Sequence, residues 1–155
     1  MNVYIALKII HVISSTVLFG TGLGIAFFKW IVDRSGNVSA IRVVAERVVL
    51  ADWLFTTPAI LVQAATGIAL ARLAGFPLHS GWLVAAIALY LLAGACWLPV
   101  LWLQMRMRDF ARQADRDGAA LADAYWRYAQ LWFRLGVPAF VSLLVVFWLM
   151  VAKPF

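Results

Sequence analysis

Four long runs of apolar residues dominate the chain. They span about residues 4–30, 53–74, 82–103 and 131–152. Charged residues inside them are few: Lys8 near the start and Lys29 at the end of the first, Arg72 near the end of the second, none in the third and Arg134 near the start of the fourth. A membrane-spanning helix needs about 20 mostly apolar residues, and a four-stranded sheet cannot close to satisfy its backbone in lipid. The pattern therefore predicts four transmembrane helices.

The polar segments between the runs also carry helical signals. Arg42 and Glu46 lie four residues apart, a spacing at which opposite charges support one helix face. The helix that starts near Ser39 is expected to continue directly into the second span. Gly118 closes an Asp-Arg-Asp-Gly turn and is suited to end a helix. The predicted fold is an all-α, integral membrane four-helix up-and-down bundle, a single domain over residues 1–155, with helices extended into the cytoplasm.

Basic residues predict the orientation of this bundle. Ten of the thirteen cations lie in the two polar segments between spans one and two and between spans three and four. The other side has only Lys8, Arg72 and Lys153. Because cytoplasmic loops are enriched in Lys and Arg, the ten are expected in the cytoplasm and both termini in the periplasm.

Composition agrees with a membrane protein. The 155 residues are 65% hydrophobic and 13% charged, against roughly 25% charged in soluble domains. A soluble enzyme domain and a disordered regulator are therefore excluded. The net charge of +6 follows largely from topology, so no nucleic-acid partner is expected. The single cysteine, Cys96, excludes an intrachain disulfide.

His11 is the first candidate for chemistry, because ionisable residues inside a membrane are expensive. It lies about 10 Å below the outer end of the first span, at 1.5 Å per residue. On a helical wheel Ser15 and Gly22 share its face. A shielded imidazole suits an axial haem ligand, copper or a proton relay, or a hydrogen bond to a neighbouring helix. Gln63, near mid-membrane in the second span, is expected to bond to another helix or to a ligand.

Further candidates lie on the same outer side as His11. His79 is in a short loop, and Met150 and Tyr90 are in outer halves of spans. A ligand with an apolar body and carboxylates at one edge, such as haem, would match these residues and the outer cations. The predicted cofactor site comprises His11, Ser15, Gly22, His79, Met150, Lys8, Arg72 and Tyr90, with His11 and His79 as candidate metal ligands. An exposed loop histidine and snorkelling interfacial cations are the alternative.

Thr16, Gly20 and Gly24 form a stripe of small residues on the opposite face of span one. Such stripes let membrane helices approach closely. The stripe predicts a homodimer or, alternatively, packing within the chain.

Short motifs resemble a bacterial inner-membrane family known as domain of unknown function 2269. They are Leu7-Lys8-Ile9-Ile10-His11 followed by Gly20-Thr21-Gly22, and Ser80-Gly81-Trp82 at the start of span three. That family is distantly similar to the copper-resistance CopD membrane domain and to the HemJ-type protoporphyrinogen oxidase. In the latter a first-span histidine is implicated in haem binding, and His11 matches it. The oxidase pattern also has a lysine at the start of span three, which is missing between Trp82 and Leu103.

The resemblance implies haem binding and argues against that specific oxidase reaction. The leading prediction is a haem b-binding inner-membrane protein that acts in electron transfer or haem handling, with a periplasmic redox partner. As an enzyme it would be a haem-dependent membrane oxidoreductase. The alternatives are a non-enzymatic scaffold or assembly factor that binds lipid or another membrane subunit, and a copper-handling protein.

Overall fold

The computed structural model describes residues 2–154, and nearly all of them are helical. Five α-helices follow one another: α1 (Val3–Ser35), α2 (Val38–Ala51), α3 (Thr57–Leu73), α4 (Gly81–Asp117) and α5 (Asp123–Ala152). A π-helical turn, Asp52–Thr56, connects α2 to α3, so that both belong to one continuous helix, Val38–Leu73. No strand occurs among the described residues. With Val38–Leu73 counted as one helix, four helices are long and apolar enough to cross a membrane, which confirms the predicted fold class.

The helix ends follow from local sequence. The side chains of Asn2 and Asn37 cap α1 and α2, accepting hydrogen bonds from the backbone N–H groups of Tyr4 and Ala40, respectively. At the other end of α4, Gly118 adopts the left-handed conformation with φ of 60°, where a side chain would be strained. The predicted helix end at Gly118 and the continuation of the helix into span two are both confirmed.

The helices pack as two pairs. Helix α1 packs on α3, and α4 packs on α5, while α2 packs on α4. We call α1 with α3 the first pair and α4 with α5 the second pair. The end of the bundle that carries ten cations is called the basic end. There Ile41, Leu103 and Met107 form the core, and at the opposite end Trp82 and Leu149 do so. Between these two cores the pairs contact each other little.

A buried ion pair fixes α1 to α5 near the basic end. Lys29 is only 3% exposed, and its Nζ donates to the Asp33 carboxylate at 2.5 Å and to Tyr125 Oη at 3.0 Å. The Tyr125 hydroxyl in turn donates to the other Asp33 oxygen at 2.6 Å. Because every charge in this triad has a partner, its burial is compensated.

Beyond the apolar spans, a cluster of charges connects α2 to α4. Arg42 Nε donates to Asp115 at 2.6 Å, and Arg112 Nε donates to Glu46 at 2.7 Å. The hydrogen bond from Arg112 lowers the pKa of Glu46 below its ordinary value. The Asp115 pKa is also lowered, first by a hydrogen bond from Ser39 and then by Arg42. These contacts hold the two extended helices together where no lipid supports them.

Candidate functional site

His11 belongs to a polar network between α1 and α3. Its Nδ1 lies 2.8 Å from Thr66 Oγ1, and its Nε2 lies 3.0 Å from Gln63 Nε2. The Ser14 hydroxyl donates to Gln63 Oε1 at 2.5 Å. The Thr66 hydroxyl donates to the backbone oxygen of Val62 at 2.6 Å, so it accepts from His11 Nδ1–H. With the Gln63 amide nitrogen facing the ring, His11 Nε2 accepts from it, and this arrangement corresponds to the neutral Nδ1–H tautomer.

The backbone of α3 approaches the imidazole closely at Gly67. A Cβ added to Gly67 would lie 3.2 Å from His11 Cε1, which is tighter than ordinary packing. Because Gly67 has no side chain, the His11 imidazole can pack directly against α3. The network has no unsatisfied side-chain atom among its members, and it acts as a structural joint between the two helices of the first pair.

The sequence identified part of this network. Gln63 was expected to bond to another helix or to a ligand, and it bonds to His11 and Ser14. Ser14 and Thr66 were missed, because hydroxyl side chains in helices often bond to their own backbone. Ser15, which the helical wheel favoured, does so: it donates to the backbone oxygen of Val12 at 2.8 Å.

The remaining predicted site residues do not gather around His11. The Tyr90 hydroxyl donates to the backbone oxygen of Ile60 at 2.7 Å, and Met150 packs against the core at the end opposite the basic end. His79, Lys8 and Arg72 are exposed. Within residues 2–154 no group of three or more His, Cys, Asp or Glu side chains is arranged to hold a metal ion.

Of the predicted site residues, Gly22 and Tyr90 line a cavity between the two helix pairs. The cavity has a volume of about 320 Å³, at the lower end of the roughly 300–1,000 Å³ usual for small-molecule sites. Its walls are mostly apolar, with Ile60, Ala93 and Phe140 among them. It lies where the first and second pairs separate, bounded by the cores at the two ends of the bundle.

Unpartnered polar atoms distinguish this cavity from the rest of the molecule. In the described part of the chain, four buried side-chain polar atoms lack a hydrogen-bond partner: Thr56 Oγ1, Trp97 Nε1, Gln104 Oε1 and Trp132 Nε1. All four residues line the cavity. Because buried polar atoms in proteins are nearly always paired, their concentration at one place makes this cavity the candidate binding site.

Asp52 adds a carboxylate to the same cavity. It is 3% exposed, it lies beside Thr56 and Gln104, and it lines the cavity near the basic end. The π-helical turn buries Asp52 and Thr56, its first and last residues, while the three residues between them face outward. Turns of this kind occur frequently at functional sites. The cavity thus has a long apolar part and one polar end.

These features define a four-span helical membrane protein with a cavity between its helix pairs. The chain matches, over residues 5–154, the family described as predicted integral membrane protein (DUF2269), and it belongs to that family. No curated protein and no solved structure matches it.

Proposed function

We propose that the protein binds a lipophilic small molecule, with a hydrogen-bonding head group, in the cavity between the first and second helix pairs. The observation that carries this proposal is the concentration there of the four unpartnered polar atoms. A buried polar atom without a partner costs roughly 1–3 kcal/mol. A ligand that supplies donors and acceptors at these positions recovers this cost, and its apolar body fills the remaining volume.

Such a ligand has a route from the membrane. Leu23 of α1 and Phe133, Val137 and Val141 of α5 line the cavity, yet roughly half of each is also exposed on the outer surface. The seam between α1 and α5 therefore connects the cavity to the lipid-facing surface. Gly22 borders the cavity, and a Cβ added there would meet nothing within 4 Å. An amphiphile dissolved in the bilayer can thus enter sideways without passing through water.

Photo-crosslinking tests this proposal. The full-length protein is placed in phosphatidylcholine nanodiscs with a diazirine-bearing long-chain alkylamine or with the alkyl alcohol of the same chain length. We expect at least one of them to label cavity peptides saturably, with competition by the unlabelled compound. Labelling that is neither saturable nor confined to the cavity would contradict the proposal.

A matched pair of variants controls for general membrane labelling. Gly22→Leu places a side chain into the cavity and is expected to abolish saturable labelling. Gly20→Leu, two residues away, adds the same side chain at an open position that does not line the cavity, and labelling is expected to persist. If Gly22→Leu labels as the native protein does, the probe binds outside this cavity and the proposal is contradicted.

Haem binding through His11 remains a prediction of the sequence. The hydrogen bond from His11 Nδ1–H to Thr66 is the kind of contact that orients a ligating imidazole. However, Nε2 is held by Gln63 at 3.0 Å, and His11 does not line the cavity. As the side chains are arranged, they do not fit an axial ligand, because Gln63 would first have to turn away. An absorbance spectrum after expression with ample haem tests this: a Soret band that His11→Ala removes would support haem, and a colourless protein would refute it.

Other predictions of assembly and location also stand as proposals. Thr16, Gly20 and Gly24 remain candidates for a homodimer contact, since Cβ atoms added at the two glycines would meet nothing within 4 Å. A scaffold that binds another subunit would co-purify with it and would tolerate His11→Ala. Copper handling would require the protein to retain copper after loading.

The predicted topology, with both termini in the periplasm, is tested by a cytoplasm-specific reporter fused to each terminus. The reporter is expected to be inactive at both termini of the protein in the inner membrane.

A further inference from the structure

We infer that the head group bound at the polar end of the cavity is a protonated amine, held by Asp52, Gln104 and Thr56. This inference rests on the proposed function and narrows the ligand to a lipophilic amine. It follows from the charge of this end, from the type of its hydrogen-bonding atoms and from the apolar volume beside it.

Asp52 is a buried carboxyl group without a basic partner among the described residues. Asp33 is also largely buried, and Lys29 Nζ lies 2.5 Å from it. Glu46 and Asp115 each have an arginine partner. In residues 2–154 no basic side chain forms an ion pair with Asp52, although it is 3% exposed. A buried carboxylate is costly unless it is paired, so a cationic ligand would supply the charge that the chain itself does not.

The hydrogen-bonding atoms at the polar end of the cavity match those of an ammonium group. An ammonium group has three N–H donors and no acceptor. The polar end offers oxygen acceptors from three side chains: the Asp52 carboxylate, Gln104 Oε1 and Thr56 Oγ1, the last two without a partner. Trp132 also lines the cavity, but Lys29 Nζ already lies 5.7 Å from the centroid of its ring, so the three oxygens are what recognise the ammonium group.

The apolar part of the cavity extends along α4 from the polar end and is long enough for an alkyl chain. Gln104 and Trp97 are seven residues apart on α4, which is about 10 Å at 1.5 Å per residue. The walls continue to Ala93 and Tyr90, about two further turns along the helix. A linear alkyl chain that starts at the Asp52 end would lie along this wall. The indole N–H groups of Trp97 and Trp132 remain available to an acceptor atom on the same ligand.

The experiment compares the two photo-crosslinking probes, the alkylamine and the alcohol of equal chain length, at pH 7. We expect the native protein to bind the amine at least about tenfold more tightly, since a hydrogen bond to a charged group is stronger than one between neutral groups. Asp52→Asn keeps the shape and removes the charge, and it should abolish the preference while the alcohol still binds. Asp123→Asn, which removes an exposed carboxylate on α5, should leave the preference unchanged.

A second variant distinguishes binding from folding. Gln104→Met removes one acceptor and retains Asp52, so the amine should bind several-fold more weakly but remain preferred over the alcohol. If native protein binds both probes equally and Asp52→Asn changes nothing, the amine inference is overturned while binding in the cavity stands. If neither probe labels the cavity, the proposed function itself fails.

Discussion

Two groups of polar side chains in the bundle differ in whether their hydrogen-bonding atoms have partners. In the joint between α1 and α3, His11, Gln63 and Thr66 satisfy one another at distances of 2.8 to 3.0 Å. In the cavity between the helix pairs, Thr56 and Gln104 have oxygens without partners. Each group contains one threonine and one glutamine. The difference lies in the separation of the helices that carry them.

The spacing of the helices decides whether polar side chains in this bundle find partners. Where two helices are in close contact, polar side chains pair across the interface and stabilise it. Where the helices separate, the same side chains stay unpaired and point into a space that a ligand can fill. His11, the only histidine within a span, belongs to the first kind. The candidate site is therefore formed by the polar residues that helix packing leaves without a hydrogen-bond partner.

The largest expected effect concerns the fully paired Lys29 triad. Lys29→Met should lower the free energy of unfolding by about 3–5 kcal/mol, because Asp33 and Tyr125 would lose their cation while buried. Equilibrium unfolding of the detergent-solubilised protein measures this. Tyr125→Phe, which leaves the ion pair intact, should cost less. An unchanged stability of Lys29→Met would show that the triad is open to water.

The next effect concerns the joint at His11. Gln63→Leu should lower the free energy of unfolding by about 1–2 kcal/mol, since hydrogen bonds between membrane helices contribute modestly. His11 Nε2 would lose its partner, and Ser14 would retain only the backbone oxygen of His11. The same unfolding measurement applies. Binding of the amine and alcohol probes should be unaffected, because none of these residues lines the cavity. Loss of binding in Gln63→Leu would contradict the separation of joint and cavity.

Gly67 allows a smaller test of the same joint. In Gly67→Ala the new methyl group would lie 3.2 Å from His11 Cε1, and the ring would have to move. Gly20→Ala is the control, because nothing lies within 4 Å of its added Cβ. Both changes gain about 1 kcal/mol of helix propensity, so we expect Gly67→Ala to be the less stable of the two by about 1 kcal/mol. Equal stabilities would show that the imidazole is not tightly packed.

The smallest effect is expected at the exposed charge cluster between α2 and α4. Arg112 lowers the pKa of Glu46, so the ionised carboxylate stabilises the folded state above its ordinary, unfolded pKa. This contribution is lost as the pH falls through the lower native pKa. Thermal unfolding should therefore show Glu46→Gln to be less stable than the native protein near pH 7, with the difference vanishing near pH 3. A difference that persists in acid would contradict a charge effect.

Much of the fold could be predicted from local pattern. Features that depend only on neighbouring residues could be recognised in the sequence. They are the four apolar runs, the helix end at Gly118 and the four-residue spacing of Arg42 and Glu46. The network at His11 was only partly predictable. Gln63 stands out in an apolar run, but Ser14 and Thr66 do not, because a hydroxyl on a helix can bond either to its own backbone or to a neighbour.

The cavity could not be predicted, because it depends on where helix pairs separate. Asp52 lies at the boundary between a charged segment and an apolar run, a position where an exposed acid is equally expected. Only the π-helical turn directs it inward with Thr56. Gln104 likewise follows span three and borders a basic segment. A linear sequence gives no signal that these residues share one cavity.

One measurement tests directly whether the unpaired polar residues await a ligand. The increase in thermal stability caused by the alkylamine probe is compared in Gln63→Leu and Gln104→Leu, two matched substitutions. We predict that without the probe Gln63→Leu is destabilised more than Gln104→Leu, because both ends of the Gln63 amide are paired whereas Gln104 Oε1 has no partner. With the probe, Gln63→Leu should be stabilised as much as the native protein, and Gln104→Leu much less. Equal stabilisation of both variants, or no stabilisation of the native protein, would contradict the claim that the unpaired polar residues of the cavity bind a ligand.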